Sequence, residues 1–280
     1  MKIFMKKEFV EKKILKKVLK KRKPDDFKGK NGKVLIIGGS IEYASSPALA
    51  ALAALKFCDL VEVFAPEKAA LIMNSFSPDL VTKKFSGNYF EKKHVKEILK
   101  KAKNFDVVLI GNGLGQNKKT KDFINILVPK ISVPKIIDAD AIKLLSGKPK
   151  NCLFLPHIIE FQKKFGSKPS MKLNERTKLV EKKAKEFNTT ILLKGRIDVI
   201  SNGKKTLLNK TGNPRMAVIG TGDVLAGITA GIASKNSLFD SACAGALING
   251  LLGEKAFKEK GDYFTAMDLI GLIPELLKGK

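Results

Sequence analysis

The 280-residue chain is 44 % hydrophobic, enough to bury one large α/β core without covalent staples. Lys and Arg number 53 against 27 Asp and Glu, a net charge of +26; the arginines are Arg22, Arg176, Arg196 and Arg215 and Trp is absent, so hydrated lysines spread along the chain argue against a dedicated nucleic-acid reader. Cys58, Cys152 and Cys243 stand far apart, no apolar run reaches membrane-span length, and Met1 to Lys23 lacks a continuous apolar segment, which excludes a disulfide framework, a cysteine zinc site and a signal peptide and predicts a soluble cytoplasmic protein.

Residues 6–23 place Val10, Ile14 and Val18 at four-residue spacing, with Leu15 and Leu19 alongside, among lysines. This predicts an amphipathic basic helix laid on the domain's own core rather than on a membrane or partner. The domain proper is expected to run over 24–280, with 1–23 as a leading helix. After Pro24 and the Gly29 to Gly32 turn, KVLIIGGS predicts a buried strand entering a glycine pair, and an Ala/Leu-rich helix follows from Pro47 to near Phe57.

Further apolar runs come at LVEVFAP, DVVLIGNGLG, VPKIIDADA, NCLFLPH and TTILLKG, mostly separated by helical segments. That alternation predicts a mostly parallel sheet covered by helices. Ligands of such sheets bind beyond the carboxyl ends of the strands, where Gly38, Gly39, Gly111 to Gly115, Asp138, His157 and Lys194 then collect. IDVIS and KKTLLN flank Asn202-Gly203, a two-residue hairpin signal.

The hairpin delivers the chain to NPRMAVIGTGDVLAGITAGI, from Asn213 to Ile232. Gly220, Thr221 and Gly222 bring bare backbone to the start of an apolar helix near Asp223, whose first N–H groups suit a phosphate or another oxyanion. A carboxylate beside an anion hole repels its ligand unless it takes a proton from the attacking group. Asp223 is therefore open to two roles, general base and ordinary N-cap. The remainder of the chain reads as helix.

Other signals are weaker singly. Gly111, Gly113 and Gly115 form G-x-G-x-G, and neither the dinucleotide fingerprint nor a Walker phosphate loop is present. Asp138 and Asp140 can hold a metal or cap the next helix. His157 and His94 read by default as structural.

Taken as an ordered set, GGS, the Ala-rich helix, GNGLG, DADAIKLL, LPHIIEF, LLKGRIDVI, NKTGNPRMAVIGTGDVLAG and NGLLGE resemble the ADP/ATP-dependent NAD(P)H-hydrate dehydratases, a branch of the ribokinase-like kinases. The resemblance runs from about Pro24 to the C-terminus. It implies a ribokinase-like three-layer α/β/α sandwich and repair of the hydrated cofactors NADHX and NADPHX to NADH and NADPH. A phosphoryl group of ADP, or ATP, passes to the C6 hydroxyl with Mg²⁺, and elimination of phosphate restores the ring. ADP is the expected donor. Asp223 then matches the base and a substrate contact, with Gly220, Thr221 and Gly222 as the anion hole. Ser46, Gly113 and His157 match substrate contacts. Lys194, Gly195, Arg196, Ile197 and Asp198 match the segment holding the AMP portion, which Gly222 also touches. Glu160 matches an outer-shell magnesium ligand. A homotetramer is expected, as is a separate NAD(P)HX epimerase, since the leading residues leave no room for one.

The sequence departs from the family pattern at several positions. Asn112 replaces the proline of GPGLG and Leu155 the threonine of TPH; Arg215 and Ile219 replace glycines around the core motif. Ser45-Ser46 replace Gly-Ala, Asn249, Leu252 and Glu254 alter HGLAGD, and Phe27 stands where histidine is common. Ile219 is expected to restrict the backbone and narrow the approach to the anion hole. The competing readings are a ribokinase-like kinase of a small alcohol of hydroxyethylthiazole or hydroxymethylpyrimidine type, and a basic binding protein with a decayed site.

Overall fold

The computed structural model describes residues 8–279. Among them, β1 (Lys33–Ile37), β2 (Leu60–Pro66), β3 (Val81–Phe85), β4 (Val107–Ile110), β5 (Lys135–Ile137), β6 (Cys152–Phe154), β7 (Thr190–Leu193), β8 (Asp198–Ser201) and β9 (Thr206–Asn209) form one sheet. Its order is β3-β2-β1-β4-β5-β6-β7-β8-β9. Pairing is parallel from β3 through β7 and antiparallel across β7, β8 and β9. The helices are α1 (Lys13–Val18), α2 (Ser45–Ala54), α3 (Glu67–Phe76), α4 (Val95–Ala102), α5 (Lys118–Leu127), α6 (Ala139–Leu144), α7 (Ile158–Phe165), α8 (Leu173–Phe187), α9 (Thr221–Ala233), α10 (Leu238–Lys260) and α11 (Ala266–Leu277).

The central strands are apolar on both faces because both are covered: every residue of β4 is fully buried. On one face an aromatic cluster of Phe64, Phe90, Phe123, Phe154 and Phe161 packs under α4, α5, α7 and α8. The other face carries small side chains, Ala50, Ala51 and Ala54 of α2 against Ala226 and Ala230 of α9. There the helix backbones nearly touch, since a Cβ on Gly227 would lie 2.1 Å from the Ala50 carbonyl oxygen. An outer layer of α1 and α11 covers α9 and α10. No helix among the described residues is long and apolar enough to cross a membrane, and the cysteines are buried and unpaired.

The helix expected over 6–23 is much shorter. Its positions before residue 8 lie outside the described residues, and the helix itself is Lys13–Val18. Ahead of it the free edge of β9 captures the chain: Leu208 N–H donates to the Glu8 carbonyl (2.9 Å) and Val10 N–H to the Leu208 carbonyl (2.8 Å). An open edge offers unpaired backbone groups, and extended chain satisfies them where helix cannot. Leu15 and Val18 are buried against α10 and α11. The hairpin forms at Asn202-Gly203, with Gly203 at φ +80° and the Asn202 side chain accepting from the Lys204 and Lys205 N–H groups.

Candidate active site

The strand order sets the location. β1 leads outward to β2, whereas β4 lies on its other side, so the chain diverges at the carboxyl ends of β1 and β4 and leaves a crevice there. Glycines line it because nothing larger fits. Gly39 N–H donates to the Asn112 carbonyl at 2.9 Å, and a Cβ on Gly111 would stand 1.8 Å from the Asp138 carbonyl oxygen. Gly113, at φ +67°, would clash with the Tyr43 carbonyl and approach Ser46.

The turn into α9 closes the crevice. Gly220 takes the N-cap position at φ +92°, and a Cβ there would lie 2.7 Å from Leu49 and 2.9 Å from Ala266. Only glycine fits both the angle and the space. The first bond of the helical ladder runs from Val224 N–H to the Gly220 carbonyl, so the N–H groups of Thr221, Gly222 and Asp223 lie ahead of it, at the positive end of the helix dipole. The Thr221 hydroxyl is occupied: it is shared between the carbonyls of Met216 (2.7 Å) and Val218 (3.0 Å) and braces the loop behind the turn. Ile219 does not crowd the turn, since its side chain is 90 % exposed and the positive φ falls on Gly220.

Asp223 is the third helical residue, not the N-cap. Its carboxylate accepts from Asn112 Nδ2 at 2.7 Å. Burial pushes its carboxyl up to about 6; Asn112 opposes the rise, nearby Asp138 adds to it, and the Ser46 hydroxyl and Lys194 pull it down again. Lys194, just past β7, places Nζ 3.0 Å from Asp138 Oδ1. Burial alone lowers that ammonium, but the pull of Asp138, Glu160 and Asp223 outweighs it and holds the lysine above its ordinary value. A Cβ on Gly222 would sit 3.9 Å from Lys194 Nζ, so the turn and the lysine face one another. Asp138 caps no helix with its side chain, and Asp140 accepts from the Gly115 N–H at 3.0 Å. The paired aspartates thus serve two different loops.

His157 is the N-cap of α7, and its Nδ1 accepts from the Ile159 and Glu160 N–H groups. With Nδ1 an acceptor, the ring proton resides on Nε2. Burial lowers the imidazole below its ordinary value, and Glu160 opposes that shift. Glu160 completes the capping box: Oε2 accepts the His157 N–H at 3.0 Å, and Oε1 lies 3.7 Å from Lys143. Among the described residues no three or more His, Cys, Asp and Glu side chains converge as a cation cage.

Beyond this turn opens a cavity of about 1060 Å³, bounded by Lys194 to Asp198 on one side and the 210–218 loop with Thr221 and Gly222 on the other. Asp198 accepts from the Gly195 N–H and from Asn209, which shapes the strand-end loop; burial pushes its carboxyl up to about 6. Arg196 is exposed. Two departures from the expected motif belong to this wall: Asn249 lines it and Glu254 accepts from the Gly212 N–H at 3.1 Å.

The structure therefore brings Asp223, Gly220, Ser46 and Gly113 around one crevice, and places His157 and Lys194 with Gly195 to Asp198, Thr221 and Gly222 on the wall of the cavity beside it. Two residues were missed. Arg176, buried on α8, donates to the Ile197 carbonyl at 3.3 Å; a mid-helix arginine carries no sequence signal for so distant a contact. Asn112 bridges two carboxylates, and its signal was the break in the glycine motif.

Comparison with known proteins adds three findings. A family model described as NAD(P)H-hydrate dehydratase matches residues 34–275. Among curated proteins, the chain is 41 % identical over 266 residues to the bifunctional NAD(P)H-hydrate repair enzyme Nnr of Methanocaldococcus jannaschii, covering 94 % of this chain but 51 % of that protein. The chain thus spans about half the length of that relative. It is also 39 % identical to the ADP-dependent (S)-NAD(P)H-hydrate dehydratase of Nitrosopumilus maritimus, covering 95 % of each. Among solved structures, a ribokinase-like superfamily protein of Enterococcus faecalis superposes with TM-score 0.85 at 24 % identity, covering 98 % of this chain and 96 % of that one. The ADP/ATP-dependent NAD(P)H-hydrate dehydratase of Bacillus subtilis, co-crystallised with ATP/Mg²⁺, gives 0.82 at 24 % identity, covering 98 % and 99 %. The fold is ribokinase-like.

Proposed function

The chain belongs to the NAD(P)H-hydrate dehydratase family, and from that premise we propose that it dehydrates (6S)-NADHX and (6S)-NADPHX to NADH and NADPH at the expense of ADP, releasing AMP and phosphate. One observation carries the reading. A half-buried carboxylate, Asp223, held by Asn112 at 2.7 Å, sits in the first turn of α9, whose leading N–H groups have no partner within the helix and face the Lys194 ammonium.

The chemistry follows from that placement. Asp223 takes the proton of the C6 hydroxyl as its oxygen attacks the β-phosphorus of ADP, and the bond to AMP breaks. The N–H groups of Thr221, Gly222 and Asp223 receive the charge that grows on the transferring phosphoryl oxygens. Loss of phosphate from C6 with a proton from the neighbouring carbon restores the double bond. Kinase and dehydratase are one sequence of events. Ser46, Gly113 and His157 hold the hydrated nicotinamide, with His157 offering the Nε2–H that otherwise lies 3.4 Å from Glu160 Oε1. Lys194 to Asp198 hold the AMP portion in the adjoining cavity.

Mg²⁺, when bound with the nucleotide, neutralises phosphate charge. Among the described residues there is no ready-made cage, and Glu160 is already committed on Oε2. It would reach such an ion through water. ADP is proposed over ATP as donor, and a separate epimerase would convert the wrong epimer. Exposed Phe257, Tyr263 and Met267 on and beside α10 and α11 support a homotetramer, which light scattering at the monomer mass of 30.7 kDa would overturn.

The deciding experiment supplies NADHX with ADP and with ATP, following dihydronicotinamide absorbance and AMP together. Regained absorbance matched by AMP is expected, and a stable phosphorylated product without it would replace this reading with that of a small-alcohol kinase.

A further inference from the structure

Asn112 is fully buried at the carboxyl end of β4, between two acidic side chains contributed by other parts of the chain. Its Nδ2 donates to Asp223 Oδ1 at 2.7 Å and reaches Asp138 Oδ2 at 3.4 Å. Its Oδ1 has no hydrogen-bond partner among the described residues. A buried amide oxygen left unpaired is a cost that proteins generally avoid. Here the cost accompanies the only arrangement that points both amide hydrogens at carboxylates. Turned over, the amide would direct its oxygen at both acids.

We propose that Asn112 is a positioning residue for Asp223: it clamps the base to the Asp138–Lys194 ion pair, fixing which carboxylate oxygen faces the substrate hydroxyl and keeping the two acids from sharing a proton. The amide is neither acid nor base, so it takes no proton itself. It acts by hydrogen bonding to the charged form of Asp223, which favours ionisation. Without it, Asp223 would face Asp138 with only Lys194 and the Ser46 hydroxyl to offset burial and the like charge. The proline of the expected glycine motif has no side-chain donor and could not form this clamp. The chain therefore couples its base to the nucleotide-side lysine by a connection running from Asp223 through Asn112 and Asp138 to Lys194.

The inference rests on Asp223 being the base of the proposed reaction, so its test includes a readout independent of turnover. In protein carrying ¹³C at the aspartate carboxyls, the Asp223 resonance is assigned by its loss in Asp223→Asn and titrated in wild type and in Asn112→Ala. The Asn112→Ala midpoint should rise by about one pH unit. The acid limb of kcat/KM should rise with it, and kcat at neutral pH should fall about tenfold while the KM for ADP stays put. Asn112→Ser, which keeps one donor, should restore part of both. If Asn112→Ala does not fold, the side-chain ¹⁵N–¹H signals of Asn112 in the wild type should titrate with the Asp223 midpoint. A midpoint unmoved in folded Asn112→Ala, or amide signals indifferent to Asp223, overturns the clamp even where turnover is normal. Absence of NADHX turnover in the wild type instead removes the proposed function and leaves the carboxyl titration to judge the clamp by itself.

Discussion

Lys194 and Asp138 approach to 3.0 Å from the ends of β7 and β5, with Asp138 almost wholly buried. Removing one partner of such a pair strands the other charge away from water, which costs about 3 kcal/mol or somewhat more. Lys194→Met should therefore lower stability by about that amount and weaken ADP binding as well. The double variant Lys194→Met/Asp138→Asn should recover much of the stability and none of the affinity. Chemical denaturation and calorimetric titration with ADP separate the two effects. Full ADP affinity in Lys194→Met would remove the lysine from the nucleotide site.

Asp223→Asn keeps the shape of the side chain and removes its basicity. The kcat for NADHX should fall about 10²- to 10⁴-fold while ADP still binds. A folded variant within a few-fold of wild type would take Asp223 out of the mechanism.

The same variant should be more stable than wild type at neutral pH. The folded value of Asp223, about 6, lies above the ordinary 3.8, so the native state holds its proton more tightly than the unfolded chain does. Stability from this group therefore declines as pH rises from about 4 to about 6 and stays low above that. Asparagine has no charge to desolvate. Thermal melts at pH 7 should give Asp223→Asn the higher Tm, with the gap closing as pH falls towards 4.

Activity should move the opposite way with pH. The base works only when ionised, so kcat/KM should fall as pH drops through about 6, tenfold per unit below it. Burial lowers the His157 imidazole below its ordinary value, and His157→Gln should leave the limb where it is. A limb that disappears in His157→Gln would transfer it to the imidazole.

Gly227→Ala should be destabilising although alanine favours helix. The added carbon would meet the Ala50 carbonyl oxygen at 2.1 Å, so α9 must retreat from α2 at a cost of about 1–3 kcal/mol. Because α9 also carries Asp223, kcat per folded molecule should drop. Unchanged melting and kcat would show that the helices can part freely.

Much of this was legible in the sequence, for identifiable reasons. Parallel strands buried on both faces give unbroken apolar runs, and KVLII and VVLI could be read directly. β3, the edge strand VTKKF, could not: only Phe85 is buried and two of its five residues are lysine. The leading helix was over-extended because periodicity reports an apolar stripe but not a neighbouring strand edge that competes for the backbone. At the site, Asp223 and Lys194 stood out through their glycine-rich settings. Gly113 and His157 were placed at strand ends by the sheet pattern and given roles by the ordered resemblance, while Ser46 and Glu160 came from that resemblance alone. Asp138 was visible, but its partner lies 56 residues away. Asn112 was visible only as an oddity. Local pattern records what a segment does to itself, and a clamp between three separate segments leaves no periodic trace.

Gly220 is wedged between Leu49 and Ala266, and the second of these opens α11, the last helix described. The helix α11 is thus part of the frame of the turn although none of its residues lines the cavity.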